Sequence, residues 1–144
     1  MIAEILNIIF PAPRQVSTER IYKPYLTNML RTKFPDADIR LSDTSFKLVD
    51  VRQFKLFLGR NTTNHRPYIK EIHDCDDFSF VLKGDVTRWD SDLAFGIVWA
   101  ISPEGTYHAL NIMVGTDKEV YFVEPQTDAV LQVSHEWVVR FILM

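Results

Sequence analysis

A single cysteine, Cys75, stands in a chain of 144 residues, so no internal disulfide can form and no Cys-x-x-Cys pattern suggests a zinc or redox site. Glycine is also scarce, with 5 residues, and neither these nor the 7 prolines gather into a linker. No repeat or low-complexity tract appears, which excludes a flexible boundary and favours one domain over 1–144. Positive charge is in deficit too: 16 Lys and Arg face 19 Asp and Glu, for a net charge of −3. Without a basic stripe, nucleic acid is set aside as a partner. Long apolar runs are missing as well. The opening "MIAEILNIIFPAPRQ" has no basic n-region and breaks at Pro11 and Pro13, so it reads as neither a leader nor a membrane span. The expectation is a cytoplasmic protein with no membrane partner. In that setting Asn61-Thr62-Thr63 matches the glycosylation acceptor pattern only by accident.

What is present is 47% apolar residues, enough for one core. "STERIYKPYLTNMLRTKF" spaces Tyr25, Met29, Leu26 and Leu30 as a helix does, with Pro24 disturbing the first turn and Pro35 closing it. "DIRLSDTSFKLVD" is ambiguous. "DVRQFKLFLGRN" predicts a second helix, with Val51, Phe54, Lys55 and Leu58 on one side, Asp50 as cap and Gly59 as stop. "DCDDFSFVLKGDV" predicts a third, capped by Asp74 with Cys75 in its first turn and Gly84 near its end. After residue 90 the period becomes two: "LAFGIVWAI", "TYHALNIMV", "EVYFVE" and "AVLQV" are strands separated by turn-forming "SPEG", "GTDK" and "PQTD". "SHEWVVRFIL" reads as a closing helix capped by Ser134 or as a last strand. The class is α+β, a helical part at 1–64 followed by a helix and antiparallel sheet at 65–144.

Alternation puts His108, Leu110, Ile112 and Val114 on one strand face and Val120, Phe122 and Glu124 on one face of the next. A three-residue turn centred on Thr116 sets His108 directly opposite Glu124. There a carboxylate fixes the tautomer of the imidazole and leaves one ring nitrogen free to accept a proton. Cys75 is the candidate to give that proton, because a helix N-terminus favours a thiolate. Asp74, Asp76 and Asp77 oppose it by like charge. His73 and Cys75 could begin a zinc site, but no companion ligands complete it. His65, His73 and His135 have no derivable partner and read as surface or turn residues. Trp89, Trp99 and Trp137 read as core, with Trp89 or Trp99 able to wall a cleft.

"DCDDF" at 74–78, "LKG" at 82–84, "HALN" at 108–111 and "VEPQTD" at 123–128 resemble the C-terminal domain family of the Marasmius oreades agglutinin and its small phage and bacterial relatives. The resemblance covers about residues 65–130. It implies a papain-like fold and a calcium-requiring cysteine peptidase, with Cys75 as nucleophile, His108 as base and acid, Glu124 orienting His108, and Gln126 lining the site. The chain departs from the family in having no lectin domain, Ser79 in place of alanine, and Ile69 where a glutamine would give an oxyanion donor. The backbone N–H of Cys75, with Tyr68 or Gln126, is the substitute donor. Calcium, implied by the family, would fall on Asp76 and Asp77, with Asp85 or loop carbonyls completing its shell. The expectation is thus a cysteine hydrolase acting on a peptide or protein substrate, in the cytoplasm of a phage-infected host where the chain is phage-encoded. Acyl transfer and peptidoglycan amide cleavage would use the same three residues. The rival is an inactive binding or virion-associated interaction protein on the same fold.

Overall fold

A computed structural model describes residues 12–144; the stretch read as lacking a leader lies largely at 1–11, outside the described residues. The first strand, β1 (Arg20–Tyr22), leads into helix α1 (Lys23–Lys33). Pro24 sits in the first turn of α1, where no backbone N–H is needed, so it starts the helix instead of disturbing it. The buried stripe is Leu26 and Leu30, while Tyr25 is 74% exposed. The ambiguous stretch resolves into two short strands, β2 (Asp38–Arg40) and β3 (Ser45–Lys47), and β3 pairs with β1. Among the described residues, 12–64 therefore hold short strands as well as helices.

Helix α2 (Val51–Arg60) is capped as its sequence suggests, the Asp50 carboxylate accepting the Gln53 N–H at 2.9 Å. Gly59 lies inside it, and the cap at its end is Asn61. Helix α3 (Cys75–Trp89) opens with a capping box in which Asp74 and Asp77 each accept the other's end of the turn. Gly84 is again interior, since the helix runs on to Trp89.

The main sheet comprises β2, β4 (Phe95–Ile101), β5 (Tyr107–Val114), β6 (Val120–Glu124), β7 (Ala129–Gln132) and β8 (Val138–Leu143), in the order β2-β8-β4-β5-β6-β7. Pairing is antiparallel except for β2 on β8. The closing segment is thus a strand, with Val139 and Ile142 buried. Gly96 permits its close approach, because a Cβ there would stand 2.2 Å from the carbonyl oxygen of Leu143.

Each sheet face carries its own apolar layer. On one, Leu26, Leu30 and Phe34 from α1 and its end cover Leu110, Ile112 and Phe122. On the other, Phe54 and Leu58 of α2 and Leu82 and Val86 of α3 cover Phe95, Met113 and Val123. The fold is α+β, with helices on both sides of a mixed sheet. None of the helices among the described residues is long and apolar enough to cross a membrane.

Candidate functional site

The strands β5 and β6 meet with Ile112 opposite Phe122 and Val114 opposite Val120. This register lies two residues from the one a three-residue turn would give. The connection is a wider turn in which Lys118 N–H donates to Gly115 O at 2.8 Å and Gly115 N–H to Glu119 O at 3.0 Å. A shift of two preserves which side chains share a face, so His108 and Glu124 still meet, now diagonally. Their contact is short, with Nε2 of His108 2.5 Å from Oε2 of Glu124. With the carboxylate ionised it can only accept, in which case Nε2 would carry the proton and Nδ1 would be the acceptor. The other carboxylate oxygen accepts the Gln126 N–H at 3.1 Å, and the turn beyond is closed by Thr127 and Asp128 N–H groups on the Glu124 carbonyl. Gln126 thus serves through its backbone.

This pair stands in an open cleft of about 440 Å³, whose walls include Ser102, Glu104, Thr106, Leu131 and Trp137. Trp137 rests edge-on against Phe122, centroids 5.2 Å apart. Trp89 and Trp99 pack as the core reading has it, Trp89 stacked on Phe57 and Trp99 against Phe80 and Phe141, and it is Trp137 that walls the cleft.

Cys75 occupies the expected first position of α3 and is a half-buried free thiol. Among the described residues its sulfur makes no hydrogen bond to His108. His108 shares the face of Leu110 and Ile112, under α1, whereas α3 packs on the face of Asn111 and Met113. What ties the start of α3 to the sheet is Asn111, fully buried, whose amide donates to Ser79 O and Gly96 O, each at 3.0 Å. The Ser79 hydroxyl in turn donates to Cys75 O at 2.9 Å. Asn111 lies inside the "HALN" word but was assigned no role; its signal is a lone amide between apolar neighbours on the covered face of a strand. His73, read as a surface residue, is buried against Phe78 and lies in a tight turn bridging to Ile69. His65 and His135 are exposed as expected.

Tyr68 is 54% exposed. Its hydroxyl is pushed above the ordinary value by desolvation and then by the negative charge of neighbouring carboxylates, Asp74 first. Asp74, Asp76 and Asp77 offer carboxylate oxygens within 4.8 Å of one another. A hydrogen bond between Asp74 and Asp76 lowers the pKa of the first and raises that of the second, as when two carboxylates share a proton. Asp85 does not join them. It is nine positions beyond Asp76, roughly 13 Å along the helix, and accepts from Asn61 Nδ2 at 2.8 Å. The same bond engages the amide of the Asn61-Thr62-Thr63 motif.

The family model described as agglutinin C-terminal matches residues 46–130, more than half of the chain. A search of curated proteins finds no match. Two solved structures share the fold at 24% identity. One, described as a PSL1a–E64 complex, superposes with a TM-score of 0.76 over 87% of this chain and 50% of its own. The other is the Polyporus squamosus lectin bound to the human-type influenza-binding epitope Neu5Aca2-6Galb1-4GlcNAc, with a TM-score of 0.73 over 87% of this chain and 49% of its own. This chain therefore spans about half the length of each. The second neighbour is described as a lectin, and that finding overturns the expectation of a cysteine hydrolase, thiol protease or related acyl-transfer enzyme acting on peptides. The agglutinin resemblance itself stands: with a family model matched over more than half its length, the chain belongs to the agglutinin C-terminal family.

Proposed function

We propose that this protein binds carbohydrate without turning it over, in the cleft of His108, Glu124 and Trp137. The observation that carries this reading is the 2.5 Å His108–Glu124 pair set beside an indole. A sugar presents hydroxyls that both donate and accept, and a weakly polar C–H face. Glu124 is an acceptor, Nδ1 of His108 a second, the hydroxyls of Ser102 and Thr106 do both, and Trp137 offers the apolar surface. Because Glu124 holds the ring and Gln126 N–H holds Glu124, little side-chain entropy is lost on binding. The ligand class is taken from the glycan named with the Polyporus squamosus lectin, about half of which this chain matches. The papain-like layout, a helix N-terminus set against a sheet, belongs to the same proposal as its scaffold.

Calcium at Asp74, Asp76 and Asp77 is a second part of the proposal. Three clustered carboxylates fit a hard cation, and backbone oxygens or water must supply the rest of its 6–8 ligands. A thermal midpoint raised by millimolar calcium and restored by chelator supports it; an unchanged midpoint removes it.

The binding reading is tested on a panel of immobilised oligosaccharides. Wild-type protein is expected to bind members of the panel, and His108→Ala to bind them about 10–100-fold more weakly, as loss of a charge-assisted hydrogen-bond network implies. A panel left unbound, or bound equally by the variant, overturns the proposal.

A further inference from the structure

The walls of the His108–Glu124 cleft are charged in one sense. Besides His108, the ionisable side chains that line it are Glu104 and Glu124, and no Lys or Arg joins them among the described residues. The carboxylates outnumber the imidazole two to one, so with both ionised the lining stays net negative whether His108 is neutral or protonated. Lys33 and His135 line a different hollow, which has only Trp137 in common with the cleft. From this charge balance we infer that the saccharide suited to the cleft is an amino sugar carrying a free ammonium, and that Glu104 selects it over neutral and acidic sugars; the inference rests on the carbohydrate reading above and deepens it.

Glu104 stands in a braced turn. The connection from β4 to β5 is closed by Ser102 N–H on Thr106 O at 2.9 Å, Gly105 N–H on Ser102 O at 2.8 Å and Thr106 N–H on the Ser102 hydroxyl at 3.2 Å. Gly105, at φ 85, takes the left-handed conformation at the least steric cost. Glu104 itself is exposed, and its carboxylate has no hydrogen bond or ion pair among the described residues. Glu124, by contrast, is engaged by His108 and by Gln126 N–H. The uncompensated charge of the cleft is therefore that of Glu104. An ammonium brings three N–H donors and no acceptor, the complement of a wall of carboxylates and hydroxyls. Trp137 adds an indole, which of the aromatic side chains attracts a cation best. A sugar carboxylate would instead meet like charge, with no guanidinium or ammonium on the cleft walls to receive it. In that respect the ligand differs from the sialylated epitope named with the Polyporus squamosus lectin.

The experiment measures affinity for two pairs of oligosaccharides at mildly acidic pH, where a sugar amine is protonated: the glucosamine trimer against the N-acetylglucosamine trimer, and N-acetyllactosamine against its sialylated form. The free-amine trimer is expected to bind about three- to tenfold more tightly than its acetylated counterpart at low salt, the magnitude of an exposed charge contact joined by an indole. Sialylation should weaken binding about two- to fivefold by like-charge repulsion. Salt raised to about 0.5 M should shrink both ratios. Glu104→Gln should shrink them at low salt, and Glu104→Lys should reverse them. Each ratio compares two ligands on one protein, so partial loss of folded protein does not alter it. Equal affinities within each pair, the opposite order, or ratios that both variants keep in full overturn the amino-sugar inference and leave the cleft a site for sugars read without regard to charge. Failure of wild-type protein to bind any of the four overturns it together with the reading on which it rests.

Discussion

Asn111→Ala is expected to loosen α3 from the sheet, because this amide alone bridges Ser79 O and Gly96 O at 3.0 Å. Each hydrogen bond contributes about 0.5–1.5 kcal/mol net. Losing two therefore costs about 1–3 kcal/mol, with a small addition for the void left by a fully buried side chain. For a chain of this size the thermal midpoint should fall by roughly 3–4 °C per kcal/mol. Asn111→Asp should be worse at neutral pH. It keeps the shape but turns a donor into an acceptor facing two carbonyls. Burial raises the carboxyl's folded pKa above its unfolded value, so its stability is fully present below the unfolded value and lost as pH rises through the folded one. Urea unfolding of the three proteins at pH 4 and pH 7 measures both effects. A loss under about 0.5 kcal/mol for the alanine variant, or an aspartate variant insensitive to pH, would refute the bridging role.

Three further outcomes follow from the charge distribution and the thiol. Burial lowers the pKa of Lys83, whose ammonium donates to Phe95 O at 2.8 Å with Asp43 only partly opposing the shift. The unfolded chain then binds more protons between the lowered value and the ordinary one of about 10.4, so stability should rise with pH across that window, and Lys83→Met should abolish the rise in urea unfolding at pH 7 and 10. Asp92 is held below the usual carboxylate range by the Arg20 hydrogen bond, with Lys47 adding to it. Its contribution is present above the unfolded value and lost as pH falls through the folded one, so Asp92→Asn should differ from wild type at pH 7 and converge with it in acid, as read by thermal melts. Cys75, lacking a bonded base, should react with iodoacetamide at pH 7 no faster than free cysteine does; much faster labelling would restore an activated thiol and contradict a purely binding role.

The caps were legible because they are local. Asp50 and Asp74 sit where side chain and backbone meet within one turn, and both cap as their positions suggest. Face alternation was equally local, and it delivered the His108–Glu124 contact despite a register error of two residues. The length of the Gly115–Glu119 turn was not legible, since it depends on Lys118 adopting a conformation its residue type does not advertise. Nor was the side of the sheet on which α3 would land. Sequence order placed Cys75 before His108 before Glu124, but which face of the sheet Leu82 and Val86 of α3 cover, that of Met113, is decided by packing and not by local pattern. Tyr25 misled for a related reason: it fits the helical period as well as Leu26 does, and only the sheet beneath α1 decides which is covered.

The most direct test of the central claim is to record the histidine side-chain and tryptophan indole NMR signals while titrating in the best-bound oligosaccharide. The account predicts saturable shifts of the His108 ring nitrogens and the Trp137 indole, abolished for the imidazole by Glu124→Gln, with the signals around Cys75 unmoved. Shifts centred on Cys75 with His108 silent would contradict it.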